Sequence, residues 1–160
     1  MAIKVGDKIP KATLKVATPE GPKDRTTDEI FAGKKVVLFA VPGAFTPLCS
    51  AQHLPGYVQK AKEIKAKGVD TIVCLAVNDG FVMGAWGEAQ GVGDSVLMAG
   101  DGSAVFTKAL GLDFDAGKFG MGVRAQRFAA VIEDGVVKKL NVEAPMKFEV
   151  SDADSILKAL

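Results

Sequence analysis

The 160-residue sequence holds two cysteines, one histidine, one tryptophan and one tyrosine, and this scarcity excludes several classes of function. Two cysteines are too few for a disulfide framework. With a single histidine and no Cys-x-x-Cys pair, there is no ligand set for a metal. Charge is nearly balanced, 20 Lys and Arg against 19 Asp and Glu for a net +1, which gives no electrostatic case for nucleic acid or an anionic membrane as partner. The longest apolar runs, such as Val36 to Val41, are far too short to span a bilayer, and the N-terminal "MAIKVGDKIPKATL" lacks the apolar centre of a secretory signal. The expectation is a soluble, cytoplasmic protein whose cysteines begin as thiols. No internal repeat, linker or low-complexity tract divides the chain, so residues 1–160 read as one domain.

What is present is an ordinary globular composition, 48% hydrophobic and 24% charged, long enough to bury a real core. "KKVVLFAV" (34–41) and "DTIVCLAV" (70–77) are apolar without alternation, as strands buried on both faces are. Between them Leu54, Val58, Ala61 and Ile64 recur at spacings of three and four among lysines and glutamate. This predicts an amphipathic helix, bent at Pro55 and Gly56 and stopping at Gly68. Strand, helix and strand in this order make a right-handed crossover, hence an α/β layered domain. Asp79 suits the cap of a second helix with a stripe of Phe81, Val82, Ala85 and Trp86; Ser103 and Gly111 bracket a brief helix, and Ser151 caps a C-terminal one. "SVLMAGDGS" predicts a short strand and turn, "GLDFDAGKFGMGVR" a loop, and Asp134-Gly135 the turn of a hairpin that completes the sheet antiparallel.

The chemistry gathers around Cys49. In "VPGAFTPLCS", Thr46 suits an N-cap and Pro47 the first helical position, which puts Cys49 at the third. A sulfur there lies near N–H groups without carbonyl partners and near the positive end of the helix dipole, so the reactive thiolate is favoured. Three reactions use such a thiol. A Cys-His hydrolase needs an oriented base; His53 is four residues on, but "CSAQHLPG" contains no carboxylate to orient it, so His53 reads as a hydrogen-bonding or packing residue. A dithiol exchange enzyme needs a second cysteine in the same turn, and "CSAQ" has none. Peroxide reduction needs only a thiolate, a cation and hydrogen-bond donors around the breaking O–O bond.

The segment "VPGAFTPLCSAQHLPG" resembles the active-site segment of the peroxiredoxins, whose Pro-x-x-x-Thr-x-x-Cys pattern is met by Pro42, Thr46 and Cys49. "VNDGFVMGAW" and "RAQRFAAVIEDGVV" resemble the type II, or peroxiredoxin-5-like, subgroup, and the likeness runs from about residue 4 to the C-terminus. The resemblance implies a thioredoxin-like fold, a central mixed sheet flanked by helices. It also implies a peroxidatic role for Cys49, with Thr46 bonded to thiolate and peroxide and Pro42 shielding the sulfur. The family's essential arginine matches Arg127; Arg124 is its rival. Gly43 would let backbone N–H groups approach the substrate. Hydrogen peroxide and alkyl hydroperoxides are the implied substrates, with no metal or organic cofactor.

Two features bear on how oxidised Cys49 is reduced. Cys74 lies within an apolar strand and reads as core, although some type II members are credited with a resolving cysteine there. "APMKFEVSDADSILKAL" lacks the C-terminal resolving cysteine of the other subgroup pattern. Reduction by an external thiol is therefore expected, either glutaredoxin with glutathione or thioredoxin. The resemblance further implies a homodimer, to which Phe45, Phe81 and Phe119 would contribute. Two other readings stand beside the enzyme: a non-catalytic redox sensor that passes oxidation of Cys49 to a partner protein, and, more distantly, the hydrolase.

Overall fold

A computed structural model describes residues 2–160. Its main sheet has seven strands. Strands β3 (Lys35–Ala40), β4 (Thr71–Ala76) and β5 (Leu97–Gly100) are mutually parallel at its centre, with Val36 opposite Thr71 and Phe39 opposite Cys74. Antiparallel strands close both sides: β1 (Thr13–Val16) with β2 (Lys23–Thr26) beyond β5, and β8 (Phe128–Glu133) with β9 (Val136–Val142) beyond β3. This is the mixed sheet flanked by helices of a thioredoxin-like fold. The β8–β9 turn has positive φ at both Asp134 (47°) and Gly135 (76°), the type I′ geometry that matches the twist of the strands it joins.

The central strands are apolar throughout because both of their faces are covered. Val37, Phe39, Ile72 and Cys74 point to one side, under α2 (Leu54–Ala66), α3 (Gly80–Ala89) and α5 (Ala153–Ala159). Val36, Leu38, Val73 and Leu75 point to the other, with α1 (Thr27–Phe31) and α4 (Val105–Leu110). The period-two alternation of the strand assigns each residue to its layer. On α2 the buried positions are Leu54, Tyr57, Ala61 and Ile64; each large side chain contributes about 1.5–3 kcal/mol by leaving water. Tyr57 fills a place the spacing suggested for Val58, which is half-buried.

Several local expectations are corrected. On α3 only Trp86 of the proposed stripe is buried; Phe81 is 76% exposed, and Met83 and Gly87 face inward instead. Gly87 is needed there, since a Cβ would stand 2.8 Å from Met98 of β5. Neither serine caps its helix. Asp101, not Ser103, receives the N–H groups of Phe106 and Thr107 at the start of α4, and Ser151 turns its hydroxyl to Glu143 while Asp152 takes the cap position of α5. At α4 a carboxylate, the stronger acceptor, displaces the hydroxyl, whereas at α5 the Asp152 side chain accepts from the Ser155 hydroxyl and no side chain caps the helix. The presumed loop 111–124 contains a two-stranded arm, β6 (Asp113–Asp115) and β7 (Val123–Ala125), around a 3₁₀ turn at Gly117–Phe119. Asp79 does cap α3, accepting from Val82 N–H, and Gly111 ends α4 at φ 72°. No helix among the described residues is long and apolar enough to cross a membrane.

Candidate active site

Strand β3 delivers the chain to the C-terminal edge of the parallel strands, and a tight loop then turns it into a helix. The loop is held by three contacts. Ala44 N–H donates to Asn78 Oδ1 (2.9 Å), Thr46 Oγ1 donates to the Gly43 carbonyl (2.7 Å), and Arg124 Nη1 donates to the Pro42 carbonyl (3.2 Å). Between them Phe45 is held at φ 64°, a left-handed conformation that costs a non-glycine residue about 1–2 kcal/mol and persists only where neighbours enforce it.

Pro47 and Leu48 are helical, and Cys49 opens a five-residue π-helical turn, Cys49–His53, that runs into α2. The wide turn has a cause in sequence. Pro55 has no N–H to donate and its ring clashes with the carbonyl four residues back; the chain widens just before it, with Leu54 N–H bonded to the Cys49 carbonyl five residues earlier. The bend expected at Pro55 and Gly56 thus takes the form of this turn. Because Pro47 contributes no N–H and Ser50 N–H bonds the Thr46 carbonyl (2.9 Å), the N–H groups left without intrahelical partners at this helix start are those of Leu48 and Cys49. Thr46 stands at the N-cap position, but its hydroxyl proton goes back to Gly43 rather than its oxygen forward to the helix.

Cys49 is fully buried, and its sulfur has one strong donor: Arg127 Nη2, 3.2 Å away. Arg127 stands two residues beyond the β7 arm, immediately before β8, so the hydrogen-bonding of β8 to β3 fixes where the guanidinium begins. Its other terminal nitrogen, Nη1, lies 2.8 Å from His53 Nδ1, and the guanidinium stands over the Phe148 ring at 5.7 Å. His53 Nε2 lies 3.0 Å from the Ser151 carbonyl, which also accepts from Tyr57 OH at 2.7 Å. Burial first, and then the Arg127 charge, pushes the His53 pKa down to about 3, so the imidazole is neutral at working pH. Both its nitrogens are occupied, and none is left to take a proton from Cys49. That geometry disposes of the hydrolase reading and bears out His53 as a hydrogen-bonding residue.

Arg124, the rival arginine, is half-buried rather than solvated. Its Nε donates to the Met121 carbonyl (2.9 Å) and its Nη1 to Pro42, tying the β6–β7 arm to the loop. Gly43 lies beneath it, and a Cβ there would stand 2.8 Å from Arg124 Nη1. The single tryptophan braces the other side, with Trp86 Nε1 donating to Ser50 Oγ at 3.0 Å. Cys74 is fully buried on β4; burial, then the nearby Cys49, pushes its thiol pKa well up, so it stays protonated. Among the described residues no group of three His, Cys, Asp or Glu side chains is placed to hold a metal ion.

Arg127 thus meets the Cys49 sulfur directly, while Pro42, Gly43 and Thr46 belong to the loop that leads into Cys49's helix, and Arg124 bonds that loop from the arm. Sequence reasoning missed Ser151 and Glu143, which support His53 from the C-terminal loop. Their only sequence signal was a serine read as a helix cap.

A protein-family model described as Redoxin matches residues 4–157. The rice protein Peroxiredoxin-2E-2, chloroplastic, is 53% identical over 163 residues, covering 99% of this chain and 72% of its own length. Arabidopsis thaliana Peroxiredoxin-2B is 47% identical over 159 residues, covering 99% and 98%. The crystal structure of reduced Prx3 from Vibrio vulnificus in complex with H2O2 has a TM-score of 0.94 and 57% identity, covering 98% of each chain. A cysteine at a helix start, a cation on its sulfur and this extent of likeness give one answer: the chain belongs to the redoxin family, as a peroxiredoxin of the type II kind, a thiol-dependent peroxidase.

Proposed function

We propose that Cys49 is the thiol that reacts with peroxide and that Arg127 is the cation that activates it. The contact carrying this reading is Arg127 Nη2 to Cys49 Sγ at 3.2 Å. A guanidinium stays charged at any working pH and donates in a fixed fork, so it stabilises the thiolate and holds a peroxide in line with it. The thiolate attacks one peroxide oxygen, the O–O bond breaks, and the departing oxygen takes a proton and leaves as water or an alcohol. Cys49 becomes a sulfenic acid. Thr46 spends its proton on Gly43, which leaves its oxygen free to accept the peroxide O–H. Pro42, half-buried in the loop that leads to the sulfur, keeps bulk water away, and the Gly43 backbone lines the substrate's approach, with Arg124 in the space that a side chain would fill.

An external thiol then attacks the sulfenic sulfur and releases water; a second thiol frees Cys49 and departs as the disulfide. Glutaredoxin with glutathione, or thioredoxin, is the donor on this reading. Cys74 serves as core, since a buried protonated thiol in the middle of a strand is a poor nucleophile. Residues 1–160 act as one domain, and the exposed Phe45, Phe81 and Phe119 (56, 76 and 61% accessible) suit the contact of a homodimer. The two free thiols fit a reducing compartment, the cytoplasm. The test is peroxide consumption with each donor. Cys49→Ser should abolish it and Cys74→Ser should leave most of it; loss of turnover in both would defeat the one-cysteine mechanism. Slow, stoichiometric oxidation without turnover would point to a redox sensor.

A further inference from the structure

We propose that His53 is a positioning residue for Arg127. Locked with its proton on Nε2 by the Ser151 carbonyl, it offers the Nδ1 lone pair to Nη1 and so aims Nη2 at Cys49 Sγ. The inference rests on the reading that Arg127 activates Cys49.

The tautomer follows from the partners. A carbonyl only accepts, so the nitrogen facing Ser151 O at 3.0 Å carries the proton, and in a neutral imidazole the other nitrogen is then an acceptor. A guanidinium only donates, and Nη1 finds that acceptor at 2.8 Å. Arg127 is thereby held at two points of its fork, the sulfur and the imidazole, and loses the rotation that a single contact would leave it.

The imidazole is itself held from every side. Phe39 and Phe148 pack on it at 5.0 and 4.9 Å between centroids, and Tyr57, stacked flat on Phe39 (3.9 Å, 4°), shares its carbonyl. That carbonyl is placed by Glu143, whose carboxylate accepts the N–H groups of Glu149, Val150 and Ser151 and the Ser151 hydroxyl, all within 2.6–2.9 Å. Burial alone would raise the Glu143 pKa; the Ser151 hydroxyl and these N–H groups outweigh it and hold the carboxyl below its ordinary range, so the anchor stays charged. The chain of support runs from Glu143 to the 149–151 backbone, to His53, to Arg127, to the sulfur.

The experiment compares rates of Cys49 with hydrogen peroxide and with iodoacetamide, an alkylating agent that needs a thiolate but no held peroxide. His53→Asn keeps an acceptor near Nδ1 and loses the Ser151 contact, whereas His53→Gln reaches Ser151 and loses the Nδ1 acceptor. Arg127→Ala is the reference, and melting of each variant confirms folding. The expectation is a peroxide rate about tenfold lower or more in His53→Gln, closer to the parent in His53→Asn, with alkylation changed about threefold or less in both. Glu143→Gln should lower the peroxide rate in the same direction by less. Equal peroxide rates in His53→Gln and the parent, or a Gln variant faster than the Asn one, would overturn the proposal, provided Arg127→Ala is slow. If Arg127→Ala reacts as fast as the parent, the Arg127 reading itself has failed.

Discussion

Arg127 bridges Cys49 and His53 with one guanidinium, Nη2 at 3.2 Å from the sulfur and Nη1 at 2.8 Å from the imidazole. The two residues it joins are four apart on a single turn, so the bridge also fixes the orientation of that turn. A point charge cannot do this. Arg127→Lys keeps the positive charge but supplies one nitrogen, which must choose between sulfur and imidazole. The expected outcome is a fall of about a hundredfold in kcat/KM for hydrogen peroxide, the usual cost of losing a charged donor at a reacting centre. Stopped-flow measurement of peroxide consumption checks it; a lysine variant within threefold of the parent would mean that charge alone is enough.

The bridge marks where the sequence was legible. Cap-like threonine, proline and cysteine in "FTPLCS" report on backbone a few residues away, and Cys49 stands at the helix start where the spacing put it, although Thr46 turns its hydroxyl back to Gly43 instead of capping. The apolar runs of β3 and β4 likewise reported their own burial, and their parallel pairing followed. Arg127 could be assigned only by resemblance, because its approach to Cys49 depends on β8 lying beside β3. The supports of His53 were out of reach altogether: Ser151 is 98 residues from it along the chain, and local rules read that serine as a helix cap. A hydroxyl goes to the best acceptor nearby, and only the fold brings Glu143 there.

Gly43 illustrates the same limit and gives a second prediction. Its φ is unremarkable, so conformational freedom is not the reason for a glycine. Space is: a Cβ would meet Arg124 Nη1 at 2.8 Å, Thr46 Cγ2 at 3.1 Å and Met121 Cε at 3.3 Å. Gly43→Ala should push the β6–β7 arm off the loop and shift Thr46, lowering kcat/KM about tenfold for a stability loss of roughly 1–2 kcal/mol. Removing the obstructing guanidinium should relieve part of this. In a double-mutant cycle, Gly43→Ala with Arg124→Ala should be less impaired than the two single effects combined. Strict additivity would show that the clash is absorbed elsewhere.

Thr46 offers a third. Its hydroxyl donates to Gly43, and in the proposed mechanism its oxygen accepts the peroxide O–H, so both the proton and the lone pairs should matter. Thr46→Val removes both and strips the Gly43 carbonyl of its donor, an expected loss of about tenfold or more in the peroxide rate. Thr46→Ser keeps the hydroxyl and should stay within about threefold. Comparing the two second-order rates is enough; equal losses would assign Thr46 a role in packing rather than in hydrogen bonding.

Acid should weaken the fold through the same network. His53 titrates near 3 when folded because burial, then Arg127, disfavours its charged form, against an ordinary value of 6.5. Between those values the unfolded chain binds the extra proton, so stability falls as pH falls from about 6.5 toward 3, by at most about 1.4 kcal/mol per pH unit. Glu143 acts with the same sign lower down: its depressed pKa makes its contribution complete above the ordinary value of 4.5 and lost as pH drops through the folded one. The charged or titratable groups facing His53 are Arg127, Tyr57 and Glu143, and burial pushes the Tyr57 pKa further up, so the phenol stays neutral between pH 4.5 and 7. As His53 is the sole histidine, His53→Asn removes that upper transition cleanly. Urea unfolding at pH 7, 6, 5 and 4.5 should show the parent losing about 2 kcal/mol more than the variant over this interval; parallel curves would mean that the imidazole is protonated in the folded protein.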